Sequence, residues 1–109
     1  MADPRLRQLK IKTGVVKRLA KEKSVYEKEA ETQKSRVEKY KSDGKDVHDI
    51  RKQEEVLKES LMMVPDCQRR LAKAVEELNE FLKSEEELKE TKEYAEATAL
   101  LEEIKPVVS

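Results

Sequence analysis

Side chains that commonly do chemistry are few in this sequence and stand apart from one another. His48 is the single histidine, with no cysteine or second histidine at ligand spacing, so it reads as a surface residue and calls for no metal. Cys67 is the single cysteine. A nucleophilic thiolate needs a base and an oxyanion site nearby, and neither is signalled around Cys67, which reads as a small packing residue. The two glycines, Gly14 and Gly44, are isolated and cannot form a phosphate-cradling loop. With 24 Asp and Glu in the chain, no carboxylate pair stands out as an acid and base couple. No enzyme activity, cofactor or metal is expected.

What the sequence does offer is charge, and the charge is sorted. Residues 1–41 hold 13 Lys or Arg against 6 Asp or Glu, whereas residues 84–109 hold 3 against 8. The densest basic stretch is Arg5, Arg7, Lys10, Lys12, Lys17, Arg18, Lys21 and Lys23, opposed only by Glu22. Such a field steers an acidic partner. The competing explanation is internal: pairing of the basic start with the acidic end of the same chain, which would specify topology.

These charges must be positioned by helices. Charged residues make up 44% of the chain, against about 25% in ordinary domains. Opposite signs interleave at helical spacing and the formal net charge is zero, which fits helices better than a disordered chain. Two Gly and three Pro are too few for a sandwich or barrel of many short strands. The expected class is all-α.

Asp3 and Pro4 form an N-cap and first helical position. Leu9, Val16, Ala30 and Val37 then share one heptad position, interrupted by Lys23, while Leu19, Tyr26 and Tyr40 share the complementary one, interrupted by Gln33. Lys39, Lys41 and Ser42-Asp43-Gly44 end this helix, expected over 4–41 and continuous through Gly14 despite the cost of glycine there. Asp46 and Asp49 open a second, over 47–83, with the stripe Ile50, Leu57, Leu61, Val64, Leu71, Val75, Leu78 and Leu82. Pro65 predicts a kink in it, and Met62 and Met63 are expected to fill the core gap beside that kink in preference to forming an exposed docking spot. Ser84 and Glu87 read as a capping box opening a third helix, over 85–105. Its inward stripe is Tyr94, Ala97, Leu101 and Ile104, Lys105 and Pro106 close it, and residues 107–109 are expected to fray. Short connections make neighbours antiparallel, so residues 1–109 are expected to form one elongated up-down-up three-helix bundle with coiled-coil-like packing.

No apolar run approaches the roughly 18 residues of a membrane span, and helix 1 has too thin a seam to lie on a membrane surface. Without a signal-peptide core, the default address is the reducing cytoplasm. Nucleic-acid binding has the basic first helix in its favour but lacks stacking aromatics and a positive domain.

Three segments carry a resemblance: Ile11 to Leu19 (IKTGVVKRL), Tyr26 to Ala30 (YEKEA) and Met62 to Leu71 (MMVPDCQRRL), together with the MADPR start. In order and spacing they resemble the tubulin-folding cofactor A family over most of the chain. The resemblance implies a cytoplasmic, cytoskeleton-associated three-helix bundle that binds β-tubulin after chaperonin release and holds it until α/β heterodimer assembly, with no nucleotide or metal; the residues themselves lead to no nucleic-acid or membrane partner being expected. Tubulin is an acidic partner in what it implies. Lys10, Lys17, Arg18 and Lys21 are then candidates for steering the encounter, and Arg69 and Arg70, beside Pro65, for short-range contacts through their planar forks. A monomer is expected, with a dimer possible. The alternatives are a structural coiled-coil homo-oligomer and, further off, a basic-helix RNA-binding protein.

Overall fold

The computed structural model describes residues 3–108 and, among them, three α-helices and no strand: α1 Pro4–Ser42, α2 Val47–Ser84 and α3 Lys92–Val108. Local chemistry sets the ends of the first two. Asp3 caps α1 by accepting the Arg5 amide on Oδ1 at 2.9 Å, and Pro4 has no amide hydrogen to leave unpaired. At the far end the Lys45 amide donates to the Tyr40 carbonyl (3.1 Å) and the Gly44 amide to the Lys41 carbonyl (3.2 Å). This is a Schellman closure. It needs a left-handed residue, and Gly44 takes φ +68°. Asp46 then accepts the His48 amide at 3.2 Å and opens α2.

α1 passes through Gly14 without a break, and a Cβ added there would meet nothing within 4 Å. α2 likewise runs through Pro65, which withholds one amide and so leaves the Leu61 carbonyl without its usual helical donor.

The third helix begins later than the sequence pattern suggests. Ser84 ends α2, and its hydroxyl donates to the Phe81 carbonyl at 3.1 Å instead of capping a new helix. A single 3-10 turn, Glu86–Leu88, comes next, with no side-chain cap from Glu85. Thr91 is the residue that caps α3: its Oγ1 accepts the Tyr94 amide at 3.2 Å and donates to the Leu88 carbonyl at 2.6 Å. The expected start near residue 85 is therefore corrected to Lys92. The expected stop at Lys105 is corrected too. Pro106 withholds only one amide, and the helical backbone continues over it to Val108. The fraying expected at Ser109 lies outside the described residues.

The residues fall into two compact units, one containing those up to Lys21 and from Gln68 on, the other Glu22–Cys67. In the first, three helices share a core: Leu9, Val16 and Leu19 of α1 pack with Leu71, Leu78 and Leu82 of α2, with Leu88, and with Ala97 and Ile104 of α3. The Tyr94 hydroxyl ties α3 to α2 by donating to the Leu82 carbonyl at 3.1 Å. In the second, only two helical arms meet around the turn at Gly44, and the buried set is smaller: Ala30, Gln33, Val37 and Cys67. Leu61, expected on the inward stripe, is 54% exposed here, and Met62, expected to fill a gap, is 63% exposed. No third helix in this unit covers them.

Candidate functional site

The basic stretch of α1 divides into cations with internal work and cations without. Arg5 is a hub: its guanidinium donates to Asp3 (2.8 Å), Glu85 (3.0 Å) and Glu87 (3.1 Å). Those bonds, the one to Asp3 foremost, hold the guanidinium charged, and Arg5 in turn holds the Asp3 carboxyl below its ordinary value. Lys12 lays its ammonium 5.8 Å from the centre of the Phe81 ring. Lys23, with a side chain only 13% exposed, pairs with Glu27 at 3.3 Å. Pairing of the basic start with the acidic end is thus carried by Arg5 and the 3-10 turn.

Lys10, Lys17 and Lys21 differ from these. All three are exposed, and among the described residues none holds an ion pair. At 100° per residue, steps of seven and eleven residues place Lys17 and Lys21 within about 20° of the line through Lys10. That line lies across the helix from buried Leu9, Val16 and Leu19. Gly14 sits on the same face with nothing beside it, so the lysines flank an open strip. Arg18 is exposed about 80° around the helix. Arg69 and Arg70 are exposed on α2. Arg18, Arg69 and Arg70 each also interact within the chain. The geometry therefore brings Lys10, Lys17 and Lys21 into one surface, sets Arg18 at its edge, and leaves Arg69 and Arg70 on a different helix.

His48 is exposed at the start of α2, and Cys67 is buried. Among the described residues no group of three or more His, Cys, Asp or Glu is placed to hold a metal, and no helix is long and apolar enough to cross a membrane. Met62 and Met63, for which the sequence favours core filling over an exposed docking spot, lie open in the two-helix unit together with Leu61.

Residues 4–101 match the family described as tubulin binding cofactor A. Tubulin-specific chaperone A of Gallus gallus is 59% identical over 105 residues, covering 96% of this chain and 97% of the relative. The Homo sapiens protein of the same name is 54% identical over the same span. A solved structure, human tubulin chaperone cofactor a, is similar at 51% identity with a TM-score of 0.81, covering 94% of this chain and 99% of that one. A match of this extent leaves one assignment: the chain belongs to the tubulin binding cofactor A family.

Proposed function

We propose that the chain is a tubulin-folding cofactor that binds β-tubulin after its release from the cytosolic chaperonin and holds it until the α/β heterodimer assembles. The observation that carries this reading is the family match over residues 4–101, with relatives along nearly the whole chain named as tubulin-specific chaperones. The charge distribution supports it. An open lysine face on α1 attracts an acidic partner from a distance, and exposed arginines on α2 are suited to bidentate contacts once it has arrived. The work is cytoplasmic and done by a monomer, with no nucleotide, metal or covalent step.

Immobilised chain offered purified β-tubulin and purified α-tubulin separately tests the proposal: retention of β-tubulin and not of α-tubulin is expected, and equal retention or none contradicts it. The site residues are tested by rates. Reversing Lys17, Arg18 and Lys21 to Glu should slow association and flatten its salt dependence; an unchanged salt dependence removes them from steering. Replacing Arg69 and Arg70 by Ala should speed dissociation while helical content stays as it was, and normal release rejects that assignment.

A further inference from the structure

Gly14 lies inside α1, and the fold gives no reason for a glycine there. Its backbone is helical, and among the described residues only Gly44 takes a positive φ. A Cβ added to Gly14 would meet nothing within 4 Å, so no neighbouring element presses on that point. Proline apart, glycine is the poorest helix former, and a helix interior that needs neither a turn nor a close approach is better served by almost any other residue. The missing side chain leaves a notch in the outer surface of the helix, open to whatever comes from outside.

The rim of that notch is cationic. On a helix the nearest surface neighbours of a residue stand three and four positions away. For Gly14 these are Lys10, Ile11, Lys17 and Arg18, all exposed. Seven positions away on either side are Arg7 and Lys21, also exposed. Residues 4–21 contain no Asp or Glu, and Arg7, Lys10, Lys17 and Lys21 hold no ion pair among the described residues. The charge around Gly14 is therefore of one sign. Ile11, 57% exposed, is the one large apolar side chain on the rim.

These features define what fits. Charge of one sign selects an acidic occupant. A single exposed isoleucine is too little apolar surface to seat an amphipathic helix, which needs a whole stripe. The notch instead admits a main chain, which can approach the helix where no side chain stands in the way. From Arg7 to Lys21 the face runs for about 21 Å, the reach of about six extended residues. Lysine, a point charge on a flexible stem, meets carboxylates without demanding one geometry. Nucleic acid is the poorer fit, because none of the six residues around Gly14 is an aromatic on which a base could stack.

We infer that Gly14 and the cations around it form a seat for an extended acidic segment of a partner protein, whose backbone crosses the helix at Gly14. This rests on the reading of the lysine face as a partner surface and deepens it: the face holds the segment by close contact as well as drawing it in from a distance.

The test titrates the isotope-labelled full chain with hexaglutamate, followed by amide shifts. Signals of Gly14, Ile11 and Arg18 should move and saturate. Gly14→Gln leaves the charge unchanged and puts a helix-favouring side chain into the notch. It should melt above the parent and bind the peptide about tenfold more weakly. That ratio should be the same at low and moderate salt, because a steric effect is not screened, whereas the loss in Lys10→Gln with Lys17→Gln should shrink as salt rises. Equal affinity of the parent and Gly14→Gln overturns the inference, as does the absence of a saturable shift at Gly14. So does a Gly14→Gln chain that melts below the parent, since the glycine then serves the fold, or tighter binding of a single-stranded oligonucleotide of the same charge. Offering β-tubulin to the same variant separates the seat from the reading beneath it. Undiminished retention by Gly14→Gln, with retention by the parent, overturns the seat alone; a parent that retains no β-tubulin overturns the tubulin reading and leaves the peptide result to decide the seat.

Discussion

The side-chain amide of Gln33 donates to both the backbone carbonyl and the Oε1 of Gln53, each over 2.9 Å. Gln33 is only 5% exposed and occupies a heptad position that is otherwise apolar, so a polar group is buried here with its partners supplied. Arg36 completes the set by donating to the Gln33 Oε1 at 3.4 Å. Such a residue costs little while satisfied and fixes how two helices align. Gln33→Ala should lower stability by about 1–3 kcal/mol in urea unfolding. In a double-mutant cycle with Gln53→Ala the coupling should be at least about 0.5 kcal/mol. Additive effects would remove the pairing as a source of stability.

Arg5 makes a prediction about pH. The hydrogen bonds and charge of its guanidinium hold the Asp3 carboxyl below its ordinary value of 3.8. A carboxylate whose folded value is depressed adds stability that is fully present above the unfolded value and is lost as pH falls through the folded one. The difference in stability between the parent and Arg5→Gln should therefore be constant at neutral pH and shrink as pH falls below about 4. Acid titration followed by circular dichroism checks this; a gap that widens in acid contradicts it.

The two glycines should respond in opposite directions. Gly14 is helical, exposed and has free space around it, so Gly14→Ala should raise stability by about 0.5–1 kcal/mol and lift the melting temperature by a few degrees. Gly44 stands at φ +68°, where a Cβ is strained, and Gly44→Ala should cost about 1–2 kcal/mol. Thermal melts of the two variants beside the parent decide the matter.

Thr91 and Ser84 form a second contrasting pair. Thr91→Ala removes the cap of α3 and should cost about 1 kcal/mol. Ser84→Ala loses only a hydroxyl bonded back to its own helix and should change stability by less than about 0.5 kcal/mol. Equal losses at the two positions would show that the box beginning at Ser84 does cap a helix in solution.

How far each feature could be read from sequence depends on the range of its cause. Asp3, Gly44 and Asp46 mark helix ends through bonds to residues two to five positions away, and those ends were legible. Ser84 misled because two capping patterns stand seven residues apart and α2 carries through the first. The lysine face was legible as a run of positive charge, but its membership was not. Arg5 is withdrawn by Glu85, 80 residues away, and Lys12 by the Phe81 ring. Leu61 lies on the same apolar stripe as Val75 and Leu82, yet those two pack in the core that α3 shares while Leu61 is more than half exposed. Periodicity reports which face of a helix is apolar and carries no information on what lies over it.

The most direct measurement tracks newly folded β-tubulin as it leaves the chaperonin, with and without this chain, on native gels. A discrete complex of the chain with β-tubulin should form, and adding α-tubulin should convert it to heterodimer with release of the free chain. β-Tubulin that leaves the chaperonin without forming such a complex, or a complex that α-tubulin cannot discharge, would contradict the account.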